Sequence, residues 1–208
     1  MKAGFVLNSR NLKKIKFDYS IVILSTIFLC GVIIGIFLIH NCDDDLKNML
    51  FNILENYIST KSNSGFIAIF SFELVLLLTF VMLEFIFGLS AVGSPFAVLI
   101  LAFFGVFSGA GTSCIILNWG LKGIFYLLLV ILPCYAITAA ILVKCCCLSI
   151  RLSSILLNCI LQRDTIKRNF CDFKEYALNY LILIVPVLIG VVISTVLFKV
   201  FCTFLIVA

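Results

Sequence analysis

Charge is in short supply in this chain. Only 12% of its 208 residues are Asp, Glu, Lys or Arg, and 63% are apolar. Ordinary globular domains hold about a quarter charged and about half apolar residues, so a soluble domain is excluded. Histidine occurs once, as His40, which rules out the paired histidines of an HExxH zinc site. No serine–histidine–acid set and no glycine-rich phosphate loop can be assembled either. The reading is a protein that is not an enzyme, with no cofactor and no metal. His40, beside Asn41 at the end of an apolar run, reads as an interfacial anchor. The ten cysteines make no disulfide framework, because most fall inside apolar runs or in a segment assigned below to the cytoplasm. Cys145, Cys146 and Cys147 are consecutive with no histidine near them. They read as small apolar fillers rather than metal ligands or palmitoylation sites. Cys42, Cys114 and Cys202 fall near the outer face, and their pairing is not legible. The net charge of +5 does not point to nucleic acid, since the basic residues flank apolar runs, where they record membrane topology.

What the chain has instead is apolar length. Its runs exceed the roughly 18 residues that separate buried core helices from membrane spans. The expected fold class is all-α: a polytopic helical membrane protein with about five transmembrane helices and short amphipathic surface helices. After a basic stretch, 1–18, the spans are placed at about 19–40, 66–87, 96–117, 123–143 and 180–205. The first run ends in "HNCDDD", not in the small residues of a cleavage site, so it reads as an uncleaved helix. In the 41–64 segment, Asp43, Asp44 and Asp45 are placed to cap and favourably charge a helix start. Leu46, Leu50, Ile53, Leu54 and Tyr57 then share one helical face, with Glu55 off it. The expectation is an amphipathic helix on the outer surface, packing on its own protein or offering a partner contact.

Residues 145–162 carry a similar pattern. Leu148, Leu152, Ile155, Leu156 and Cys159 oppose Arg151, Ser154, Asn158 and Gln162. They are assigned to a cytoplasmic interfacial segment, 145–179, rather than to a sixth span, with 145–162 either lying flat or extending the fourth helix. Eleven of the 15 Lys and Arg residues then lie on the side of the N-terminus. This bias puts the N-terminus in the cytoplasm and the C-terminus outside.

The stretch "FGLSAVGSPF" joins the second and third spans as a short turn, with Gly88 and Gly93 free to adopt positive φ and Pro95 opening the next helix. Gly31 and Gly35 form a GxxxG pair in the first span, and Gly105 and Gly109 another in the third. Such pairs let helix backbones approach closely in lipid, here within the chain in preference to self-association. Pro133 and Pro186 fall inside spans and predict kinks. Glu73 and Glu84 share a face of the second span. Intramembrane carboxyls are costly and mark either structural polar contacts or a proton or cation pathway. Glu84, about one turn from the cytoplasmic end, is placed to reach the headgroups.

Together, "FGLSAVGSPFAVLILAFFGVFSGAG" and "NWGLKGIFYLLLVILPCYAITAAIL" resemble the stage II sporulation protein M family. The motif residues are Gly88, Gly93, Pro95, Gly105, Gly109, Trp119, Gly120, Gly123, Leu132 and Pro133. The layout fits across the chain, but the specific motifs lie in residues 84–143. One departure follows the Leu-Pro pair, where the family often has polar residues and a second proline. This chain has Cys134 and Tyr135 and no such proline. The resemblance implies a non-enzymatic scaffold in the mother-cell membrane at the septum. It would act in engulfment with a peptidoglycan-cleaving partner (stage II sporulation protein D) and a membrane-anchored one (stage II sporulation protein P). Asp43, Asp44, Asp45 and Glu55 are then the candidate contact for partners outside the membrane. The alternatives are a small ion- or proton-coupled transporter or channel subunit built on Glu73 and Glu84, and a family member with a membrane role outside sporulation.

Overall fold

In a bilayer every backbone N–H and C=O must be satisfied within the chain, so long apolar runs fold as helices. The computed structural model describes the backbone of residues 9–162 and 166–206, and side chains at 19–160 and 173–201. Among these the order is α1 (Ser9–His40), α2 (Asp44–Asn63), α3 (Phe66–Gly88), α4 (Gly93–Tyr126), a π-helical turn (Leu127–Ile131), α5 (Leu132–Gln162) and α6 (Ile166–Ile206). The basic N-terminal stretch is therefore helical from residue 9 onward and continuous with the first span. Its first eight residues lie outside the described part.

Four helical stretches are long and apolar enough to cross a membrane: Tyr19–His40, Phe66–Gly88, Gly93–Ile160 and Phe173–Phe201. The third has 68 residues, about 100 Å if straight, against a hydrocarbon core of about 30 Å. It is not straight. Gly120 takes φ 55° and ψ −129°, a conformation that side chains exclude and glycine permits. Contacts across this residue nest as in a hairpin: Trp119 faces Tyr126 with ring centroids 5.7 Å apart, Phe104 faces Tyr135 at 6.2 Å, and Ser94 Oγ lies 3.0 Å from Ser153 Oγ. The chain therefore reverses at Gly120, and five passes result.

The expected positive φ at Gly88 and Gly93 is not found. Both residues are within helices, and Gly120 is the positive-φ glycine of the described residues. Gly88 and Gly93 are small for steric reasons: a Cβ on Gly88 would collide with the Tyr176 hydroxyl, and one on Gly93 with the Phe87 carbonyl. The π-helical turn directly precedes Leu132-Pro133. Proline donates no hydrogen bond and crowds the carbonyl four residues back, and one wider turn relieves both. Pro186 is accommodated inside an unbroken α6.

The glycine pairs meet each other. A Cβ on Gly31 would stand 2.7 Å from the Ala102 carbonyl, and one on Gly105 2.6 Å from the Phe28 carbonyl. Gly35 and Gly109 are tighter still, against the carbonyls of Val106 and Val32. Backbone-to-backbone packing of α1 on α4 follows. The core behind it centres on Phe104, whose ring lies 6.1 Å from Phe28 of α1 and 5.5 Å from Phe80 of α3.

Residues 145–162 differ from the expected separate segment. They prolong α5 without a break, and residues 166–179 likewise run straight into the last span. No proline or glycine interrupts 134–162, and the amphipathic stripe finds its partner in protein. Leu152 is buried, while Leu148 and Leu156 pack against the core. Cys145, Cys146 and Cys147 fill core positions.

Candidate functional site

Two polar constellations stand out against the apolar background, one at each end of the bundle. At the end bearing α2, the helix is tied at both ends to spans, through residues 41–43 to α1 and through Ser64 and Gly65 to α3. Asp43 holds the N-cap position without a side-chain cap bond. Asp44 and Asp45 occupy the first turn, where the helix dipole favours them, and Lys47 bonds to Asp44 at 3.2 Å. Leu54 and Ile58 pack with Ile69 of α3, Ile115 and Trp119 of α4, Val130 and Phe198.

Lys61 is the fastener of α2. Its ammonium pairs with the Glu73 carboxylate, and both side chains are largely enclosed. It also lies 4.2 Å from the Phe198 ring centroid of α6 and 5.6 Å from that of Tyr57, cation–π contacts that partial desolvation strengthens. Lys199 donates to the Ser64 carbonyl at 3.2 Å. Burial pushes the Tyr57 phenol above its ordinary range, against the opposing charge of Lys61. The candidate contact residues Asp43, Asp44, Asp45 and Glu55 are all exposed.

At the opposite end, α3, α5 and α6 share a buried hydroxyl network. Ser149 Oγ donates to the Glu84 carbonyl at 2.7 Å and lies 2.7 Å from the Tyr180 hydroxyl. Tyr176 donates to the Phe85 carbonyl at 3.1 Å, and Tyr180 to the Cys145 carbonyl at 3.0 Å. One turn on, Ser153 accepts from the Ser94 amide at 3.1 Å and donates to the Ala91 carbonyl at 3.2 Å. It thereby satisfies α4's first turn from a distant part of the chain. The Glu84 side chain sits beside this network at 0% exposure, and neither carboxyl oxygen has a hydrogen-bond partner among the described residues. The expectation that Glu84 reaches the headgroups is thus replaced by full enclosure in protein.

The structure therefore separates the two carboxyls read as a pair. Glu73 serves the ion pair with Lys61; Glu84 is enclosed at the other end of α3. Trp119, Gly120 and Gly123 come together in the reversal, and Pro95 is exposed near the start of α4. Four residues escaped the sequence reading: Ser149, Ser153, Tyr176 and Tyr180. Their signal was the i,i+4 spacing of hydroxyls in apolar surroundings, which places each pair on one helical face. Between α5 and α6, Arg151, Glu175, Tyr176 and Asn179 line a groove of about 20 Å³, room for one or two waters. Among the described residues, no three His, Cys, Asp or Glu side chains converge as a metal site. No protein-family model, no curated protein and no solved structure matches this chain.

Proposed function

We propose that this multi-pass membrane protein is a scaffold without enzymatic activity. In this reading it recruits or anchors peptidoglycan-degrading partners at the septum during sporulation engulfment. That is the role implied by its resemblance to the stage II sporulation protein M family, with stage II sporulation proteins D and P as partners. The N-terminus lies in the mother-cell cytoplasm, and α2 lies outside. The observation that carries the reading is α2 itself. It is fastened to α3 and α6 through Lys61, yet leaves Asp43, Asp44, Asp45 and Glu55 exposed. An acidic face held in place at one end of the bundle can steer and orient a partner of complementary charge. Further support comes from the motif residues, which shape the bundle: glycine interlock, reversal at Gly120 and π-helical turn before Pro133.

The test is co-purification from sporulating cells, comparing the native chain with one carrying Asp43→Asn, Asp44→Asn, Asp45→Asn and Glu55→Gln. Loss of the wall-cleaving partner with membrane insertion intact supports the scaffold; undiminished capture overturns this docking face. A second reading, proton or ion coupling, is favoured by one observation, the enclosed carboxyl of Glu84, which has no hydrogen-bond partner among the described residues. In this reading Glu73 is held in the ion pair with Lys61. Glu84→Gln abolishes gradient-driven flux in proteoliposomes if that reading holds, and leaves partner capture unchanged if the scaffold does.

A further inference from the structure

The exposed side of α2 is not uniformly polar. Leu46, Met49, Leu50, Ile53 and Tyr57 recur at helical spacing, and each is between 40% and 60% exposed. This is nearly the stripe that the sequence singles out, yet it is not the stripe that packs on the protein. The packed side is turned about a quarter of the way round, and carries Leu54 and Ile58. A third side bears Asp45, Asn48, Asn52, Glu55, Asn56 and Ser59, all exposed. A helix in water needs one apolar side, against its own core. A helix with a second, uncovered one, flanked by a polar side, has three surroundings.

We propose that the Leu46–Tyr57 stripe is seated in the lipid leaflet at its end of the bundle, with the acidic side turned to water. Three observations select lipid as the occupant. Short connections tie both ends of α2 to membrane spans, so the helix cannot leave the bilayer boundary. The stripe is continuous with a lipid-facing surface, because the Tyr57 ring meets Phe72 of α3 at 5.8 Å and Phe72 is itself 52% exposed on a span. The packed and uncovered sides adjoin at a lateral angle, the arrangement of a helix lying along the rim of a bundle with one flank among acyl chains. Unlike the scaffold reading, this inference requires only that the spans cross a bilayer.

The experiment uses the full chain, reconstituted in vesicles of phosphatidylcholine and phosphatidylglycerol. The single native tryptophan, Trp119, is replaced by Phe, and Ile53→Trp or Asn52→Trp is added. Quenching by lipid brominated near the top of its acyl chains is compared with quenching by iodide, admitted to both sides by freeze–thaw. Bromolipid should quench the Ile53→Trp variant about threefold more than the Asn52→Trp variant, with the order reversed for iodide. Equal access of iodide to both overturns the proposal, since the stripe then faces water. Protection of the Ile53→Trp variant from both quenchers also overturns it, since a second copy or another protein surface then covers the stripe. In the unaltered chain, chloramine-T oxidation followed by mass spectrometry gives an independent measure. Met49 should oxidise as slowly as Met82, which is exposed on the α3 span. A rate about tenfold faster would place the stripe in water. No wall-cleaving partner is present in either measurement, so failure here leaves the recruitment reading standing, and failure of recruitment leaves this one.

Discussion

Glu73 and Glu84 lie eleven residues apart on α3, close to the same angular position, and yet meet opposite circumstances. The first finds a cation. Removing one member of an enclosed ion pair leaves the other charge stranded, whereas removing both leaves none. Lys61→Met or Glu73→Met alone should each cost up to about 3 kcal/mol, and the double variant less than either. The check is a double-mutant cycle on thermal unfolding in detergent; simple additivity would mean that the two side chains do not interact. The second carboxyl finds no hydrogen-bond partner among the described residues. An orphaned polar group carries a desolvation penalty that an apolar side chain of similar volume does not. Glu84→Met should therefore raise stability by about 1–3 kcal/mol in the same unfolding measurement. A loss instead would reveal a hydrogen-bond partner for the carboxyl.

Helices in lipid associate by close packing, since no water drives them together, and the glycines of α1 and α4 set how close they come. Gly105 and Gly111 make a controlled pair on α4. A methyl on Gly105 meets the Phe28 carbonyl at 2.6 Å, whereas one on Gly111 meets only the Tyr135 hydroxyl at an ordinary 3.5 Å. Gly105→Ala should destabilise by about 1–3 kcal/mol through overpacking. Gly111→Ala should be neutral, or gain up to about 1 kcal/mol from helix propensity. Equal effects in thermal unfolding would remove the interlock as the organising contact. Much of this level was legible beforehand: span positions follow from apolar length, and the paired GxxxG motifs from small-residue spacing. Which glycine turns the chain was not legible, because Gly88, Gly93 and Gly120 all sit at span ends and only packing separates a steric need from a conformational one. The two sides of α2 were also hidden. Leu54 and Ile58 differ from Leu50 and Ile53 in what stands opposite them, not in chemistry. The Ser149–Tyr180 network joins helices distant in sequence, and local periodicity carries no such pairing.

At the scale of the whole molecule, the length of the last two helices sets the shape. From Gly120 to Gln162 the chain rises about 60 Å, and α6 is of similar length, roughly twice what the hydrocarbon core needs. Their excess lies on one side, since Ser149 meets Tyr180 and Arg151 Nη2 lies 3.9 Å from Glu175 Oε1. The two helices therefore leave the turn end of the bundle together. Five passes put this end on the side where α1 begins and the end of α6 on the other. In the orientation proposed above, Lys144, Arg151 and Lys174 share the cytoplasmic side with the basic residues of the N-terminus, as the positive-inside bias favours. A protease site inserted after Gln162 should be cut in inverted vesicles and protected in intact cells. Alkaline phosphatase fused after Ala208 should be active, while a fluorescent protein fused there stays dark. An inactive phosphatase with cleavage unchanged would mean an even number of crossings, and α6 would then fail to cross the membrane. The reverse of both outcomes would turn the bundle over, placing α2 and its acidic side in the cytoplasm, out of reach of any wall-cleaving partner.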